Sequence, residues 1–232
     1  MKQSLILLHG LFGGLSNWEG VTAHFQSHYN IHIPPLPIYD DHHQDKLEYL
    51  VDFLESYIIN NELENVILVG NSLGGHVSIL YTHRHPEKVA KLVLTGSSGL
   101  YENTSLGSFP KRGNYAYIRE RVANIFYDPA TATDALVEEV FNTTRDIRKC
   151  FGIVKTAKSA NRNYVAAQLP EIPTPTLLIW GEDDRVTPPD VAREFHHYLP
   201  NATLVMLPEC GHAPMMERPA AFNAILEPFL AA

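Results

Sequence analysis

The segment Gly70-Asn71-Ser72-Leu73-Gly74 follows the apolar run Val66-Ile67-Leu68-Val69 and leads into residues of helical period. A serine placed between an apolar strand and a helix, with glycine two residues away on each side, has the context of a nucleophile elbow. The turn forces the serine into a strained backbone conformation, and glycines are needed where strand and helix close on one another. At the N-terminus of the helix, the dipole also favours negative charge developing beside Ser72.

A serine hydroxyl becomes a nucleophile only with a base beside it, and that base needs a third group to fix its tautomer. Two later segments offer these groups. Glu182, Asp183 and Asp184 follow the apolar run Leu177-Leu178-Ile179-Trp180-Gly181, and composition alone does not choose among them. His212 follows the next such run in Pro208-Glu209-Cys210-Gly211-His212. Of twelve histidines, only His212 combines a preceding glycine, a position at a carboxyl strand end and the chain order Ser, acid, His. Acyl transfer also needs donors for an oxyanion. His9-Gly10-Leu11-Phe12-Gly13-Gly14 follows the first strand, so the Leu11 and Leu73 backbone N–H groups are the expected pair. A glycine-rich turn that only reverses the chain is the plain alternative, and a phosphate-binding loop is a weaker rival, because neither the Walker Lys-Ser/Thr nor Gly-x-Gly-x-x-Gly occurs.

The elements that must position these residues alternate between short β-rich runs and longer helical segments, the pattern of a parallel sheet covered on both faces. Strands are expected at Ser4–His9, Asn30–Ile33, Asn65–Gly70, Lys91–Thr95, Thr176–Trp180 and Thr203–Leu207. Helices are expected at Trp18–Gln26, Leu47–Ile59, Leu73–His83, Pro189–Tyr198 and Pro219–Phe229. The alternation stops after Gly99 and resumes at Pro173. Residues 100–172 therefore read as a helical cap, with stretches at Ala132–Phe141 and Arg145–Lys158, inserted into a core domain of residues 1–99 and 173–232.

Together these motifs resemble the α/β-hydrolase superfamily, and more narrowly its cap-bearing esterase and carbon–carbon-bond hydrolase branch. The resemblance rests on His9-Gly10, the elbow at 70–74, Trp180-Gly181 through Asp184, Val186 and Pro188, and Gly211-His212 followed by Glu217-x-Pro219. It places the triad acid three residues after the Trp-Gly glycine and four before a proline, which selects Asp184. It implies a mostly parallel sheet of about six strands, lacking the antiparallel pair with which the family usually opens. A serine at position 72 excludes the aspartate-nucleophile dehalogenases and epoxide hydrolases on this scaffold. The implied function is hydrolysis of a carboxylic ester of a small or medium acid. Alternatives are cleavage of a carbon–carbon bond in an anionic metabolite and, from another class, a ligand receptor retaining the triad.

Phe12, Trp18, Phe126, Tyr127 and Phe141 are candidates to line an acyl pocket, although aromatics at helical spacing are more often core. Under the carbon–carbon reading Arg112, Arg119, Arg121, Arg145, Arg148 and Arg162 could bind a substrate carboxylate, although for most of them solvent-facing charge on helices is the expected role. No cofactor or metal is expected. Asp40-Asp41-His42-His43 carries donors, but adjacent residues rarely converge on one ion. The net charge of −8 over 232 residues, with scattered basic residues, excludes a nucleic-acid or anionic-membrane footprint. Two cysteines and no apolar run near the roughly 20 residues of a membrane span fit a cytoplasmic enzyme, monomer or homodimer, acting on a small molecule.

Overall fold

In a computed structural model, residues 2–13, 18–40, 45–103, 111 and 113–232 are described. Six strands form one sheet: β1 (Ser4–Leu8), β2 (Asn30–His32), β3 (Val66–Asn71), β4 (Val89–Thr95), β5 (Thr176–Gly181) and β6 (Ala202–Leu207). Their order is β2-β1-β3-β4-β5-β6, and every pairing is parallel. The sheet ends on one side at the three-residue β2, too short to template pairing with another chain.

Successive strand residues point to opposite faces, so continuous apolar runs feed two cores. Ile6, Leu8, Leu68, Leu92 and Leu94 pack against α2 (Lys46–Asn60), α3 (Leu73–Arg84) and α7 (Pro189–Tyr198). Leu5, Leu7, Ile67, Val69 and Val93 pack against α1 (Glu19–Phe25) and α9 (Pro219–Ala231). Lys91 closes the latter helix, its Nζ donating to the Phe229 and Leu230 carbonyls at 2.9 and 2.8 Å.

Between β4 and β5 lie α4 (Tyr115–Ala123), α5 (Asp134–Arg145) and α6 (Ile147–Arg162). The first of these is not evident in the sequence, because it buries only Ile118 and Val122. The expected helix at Arg145–Lys158 is divided differently. Arg145 ends α5, and the extended Asp146 caps α6 by accepting from the Arg148 and Lys149 amides. One carboxylate fastens this insertion to the core. Asp45 Oδ1 accepts from Leu47 N and Glu48 N at the start of α2 and from Ser159 Oγ of α6 at 2.7 Å. A short α8 (Pro214–Glu217) precedes α9. Among the described residues no helix is long and apolar enough to cross a membrane.

One of the tightest approaches in the fold is at Gly74, where a Cβ would collide with the Leu8 carbonyl of β1. Gly74→Ala is expected to lose about 3 kcal/mol or more, read as a lowered urea midpoint. A loss under about 0.5 kcal/mol would show that β1 can retreat.

Candidate active site

Parallel strands all present their carboxyl ends at one edge, and the loops after β1, β3, β5 and β6 meet there. Ser72 sits between β3 and α3 with φ 54° and ψ −120°. Its amide donates to Thr95 O at 3.1 Å, and its carbonyl accepts from Ser98 N at 3.1 Å and Gly75 N at 3.0 Å. Leu73 is the first residue of α3, so its amide has no acceptor within the helix. Gly10 closes on the nucleophile: a Cβ there would stand 3.6 Å from Ser72 Oγ. His9 fixes this loop. Leu36 N donates to its Nε2 at 3.2 Å, which leaves Nδ1–H to donate to the Gly10 carbonyl at 2.8 Å. Burial lowers the His9 pKa and keeps it in this neutral form.

Asp184 and His212 come together as the motifs imply. Asp184 Oδ2 accepts from His212 Nδ1 at 2.9 Å, and the Asp184 side chain is wholly buried. Its remaining lone pairs accept from Val186 N at 2.8 Å, Thr187 N at 2.9 Å and Thr187 Oγ1 at 2.9 Å. Four donors thus hold one carboxylate in the orientation that fixes the His212 tautomer with Nε2 unprotonated. Ser72 Oγ and the His212 ring are not hydrogen-bonded to one another. His212 has no hydrogen bond to Asp183, whose amide donates to the Cys210 carbonyl at 2.9 Å.

Three positioning residues are not singled out in the sequence reading. Asn71 Nδ2 donates to Thr95 O and His212 O at 3.0 and 3.1 Å, joining the β4 end to the histidine loop. Thr187 binds the triad acid. Glu217 receives three backbone amides: Tyr127 N at 2.7 Å and Gly211 N at 2.9 Å on Oε2, and Ala213 N at 3.1 Å on Oε1. His212 N also donates to Ile125 O at 3.1 Å, so the segment after α4 braces the histidine loop. Glu217 alone had a signal, its fixed distance from His212 in the motif. Cys210 is fully buried, and burial pushes its thiol up, away from nucleophilic character.

Burial works to lower the His212 pKa, but the Asp184, Glu102 and Glu217 carboxylates outweigh it and raise the imidazole above 6.5. Ser72 and His212 open into a cavity of about 400 Å³, within the range of small-molecule sites. Leu11 lines it, as do Phe12 and Phe126. The other three aromatics do not. Trp18 is fully buried among Val21, Phe25 and Phe222 beneath the sheet. Tyr127 is 41% exposed, and Phe141 packs edge-on against Tyr115 at 5.2 Å. None of the described cap arginines is in the cavity lining. Arg119 pairs with Asp134, Arg121 and Arg145 lie over the Tyr117 and Phe141 rings, and neither Arg148 nor Arg162 reaches the cavity lining. Arg112 lies outside the described residues, as do Gly14, Asp41, His42 and His43. The cationic side chain in the described lining is Lys158.

Because the base acts only when neutral, its raised pKa puts the acidic limb of kcat/KM at a midpoint above 6.5. Asp184→Asn is expected to lower acylation at least a hundredfold, while Asp183→Asn and Glu182→Gln stay within roughly tenfold of wild type. A crippled Asp183→Asn beside a healthy Asp184→Asn would reverse the assignment.

The family model described as "Alpha/beta hydrolase family" matches residues 5–225. A 2-hydroxy-6-oxononadienedioate/2-hydroxy-6-oxononatrienedioate hydrolase of Paraburkholderia phymatum is 29% identical over 261 residues, covering 99% of this chain and 87% of its own. The crystal structure of MGS-MChE2, an alpha/beta hydrolase enzyme from the metagenome of lagoon sediments at Mar Chica, Morocco, is 37% identical with a TM-score of 0.80. That alignment covers 100% of this chain and 91% of the other. The 2-hydroxy-6-oxo-6-phenylhexa-2,4-dienoate hydrolase of Rhodococcus sp. strain RHA1 shares the fold at 23% identity, with a TM-score of 0.88 and 100% and 91% coverage. With its all-parallel sheet and serine elbow, the chain belongs to the alpha/beta hydrolase family.

Proposed function

We propose that the chain is a serine hydrolase acting on a small molecule, and that the bond it cleaves is a carbon–carbon bond beside a ketone. The observation that carries the serine chemistry is the buried Asp184–His212 pair opening, with Ser72, into one cavity. Ser72 Oγ attacks the carbonyl carbon while His212 Nε2 takes its proton, and Asp184 holds the resulting imidazolium. The Leu11 and Leu73 amides receive the oxyanion. The imidazolium returns the proton as the leaving group departs, and water then releases the acyl group from Ser72 with His212 as base.

The names of the relatives support the carbon–carbon reading. In a 2-hydroxy-6-oxo-dienoate, ketonisation of the 2-hydroxyl lets the bond beside the 6-oxo group break with its electron pair spread onto the 2-oxo oxygen. Water adds across that bond to give an acid and a dienol. Ester hydrolysis is the second reading. The largely apolar lining from Val122, Phe126, Leu136 and Val140 favours it, because an ester needs no ion partner.

A fluorophosphonate is expected to label Ser72 stoichiometrically, and Ser72→Ala to abolish labelling and turnover with the fold intact. Labelling elsewhere would overturn the nucleophile. For the bond, 2-hydroxy-6-oxo-dienoates should exceed p-nitrophenyl esters at least tenfold in kcat/KM; faster esters would establish the second reading.

The lining yields a separate expectation. Phe126→Ala should reorder preference among acyl chains, whereas Phe141→Ala, outside the cavity, should leave the order as it is. An order unmoved by Phe126→Ala would place the acyl group elsewhere.

A further inference from the structure

The strap that leaves β4 passes over the triad and brings a second carboxyl group into the cavity. Ser98 N is bonded to Ser72 O, and Asn103 N donates to Val186 O at 2.7 Å, on the same loop whose Val186 amide holds Asp184. Glu102 lies between these two anchors. It lines the cavity with Ser72 and His212, and it is the acidic side chain in the described lining. The mechanism above gives it no task. Its partner of opposite sign in that lining, Lys158, is on α6 and exposed. The cavity lining therefore carries one acidic side chain, together with Ser72 and His212, and one cationic side chain on α6, and the rest of it is largely apolar.

We propose that Glu102 sets the charge selectivity of the site, barring a carboxylate from the triad end, so that the substrate is a mono-acid or an uncharged compound with an apolar body rather than a dioate. Two like charges within about 6 Å, at an effective dielectric near 20, repel enough to cost on the order of a hundredfold in binding. A single substrate carboxylate is admitted only toward Lys158. This separates the chain from relatives named for dioates.

The groups facing Glu102 set the pH at which the rejection operates. Burial raises the Glu102 carboxyl above 4.5, the Ser98 hydroxyl and His212 oppose the shift, and Asp184 adds to it. Lys158 shares the cavity, and Glu217 stands behind His212. Rejection thus strengthens as pH rises and fades as pH falls through a midpoint above 4.5. Titration of His212 affects every substrate alike and cancels in a ratio of two.

The proposal rests on serine chemistry at Ser72 but not on which bond is cleaved. The test compares p-nitrophenyl 5,5-dimethylhexanoate with p-nitrophenyl 4-sulfobutanoate, which matches it in shape and carries a charge that does not titrate. A second pair places the sulfonate on the phenol instead. In wild type the neutral ester should lead by tenfold or more in kcat/KM in at least one pair, and the lead should shrink as pH falls. Glu102→Gln should narrow it at least tenfold, and Glu102→Asp, which keeps the charge, should preserve it. A purely structural role would slow both members equally and leave the ratio unmoved. Calorimetric binding of the same esters to Ser72→Ala reads the preference without turnover, so an error in the proposed reaction is separable from one here. Equal binding and equal kcat/KM for both members of both pairs would overturn the proposal, as would a ratio untouched by Glu102→Gln.

Discussion

The backbone of Ser72 is held at a positive φ that costs roughly 1–3 kcal/mol in a residue with a side chain, and the site is arranged around keeping it there. Its amide and carbonyl are bonded to β4 on one side and to the first turn of α3 on the other. Those bonds lock the carboxyl ends of β3 and β4 together, and Asn71 extends the lock to the histidine loop through the His212 carbonyl. Gly96, at φ 51°, completes the seat: a Cβ there would stand 2.8 Å from His212 Nδ1. The nucleophile's strain and the base's position are therefore carried by one set of backbone contacts.

Three carboxylates surround one imidazole, and their partners separate their roles. Asp184 is wholly buried and bonded by four donors, so its carboxyl group is fixed in orientation with Oδ2 directed at Nδ1. Glu217 spends its oxygens on three backbone amides and acts as a clip between loops. Glu102 faces the cavity, where a substrate is its natural neighbour. Chain order and fixed spacing identify only the first of these as part of the triad.

What was legible in the sequence follows from periodicity and register. β1, β3 and β5 stand out most because strands buried on both faces leave continuous apolar runs, and Ser72, Asp184 and His212 sit at fixed offsets from the apolar runs. The pocket was less legible. Trp18 and Phe12 are both aromatic and close in sequence, yet one is sealed beneath the sheet and the other faces the cavity. Residue type reports hydrophobicity, not the direction of a side chain in an irregular connection. The cap arginines have partners of their own: Arg121 and Arg145 lie over the aromatic rings four residues before them in the same helix, a local contact, whereas Arg119 pairs with Asp134 of the next helix, a contact that tertiary packing supplies. Glu102 lies in a stretch with no periodic signal at all, so nothing placed it against the triad.

The helices between β4 and β5 are tied to the histidine loop. Glu217 Oε2 accepts from Tyr127 of the insertion and from Gly211 of the histidine loop, and His212 donates its own amide to Ile125. Between Ile125 and Tyr127 stands Phe126, which lines the cavity. A substrate body pressing on Phe126 thus presses on a segment bonded directly to the loop that carries the base. Because the core supplies Ser72 and Asp184 while the insertion braces His212, a change in the insertion alters both what fits and where the base stands. The sheet and triad can then stay the same while the scissile bond differs, and fold membership alone cannot specify that bond.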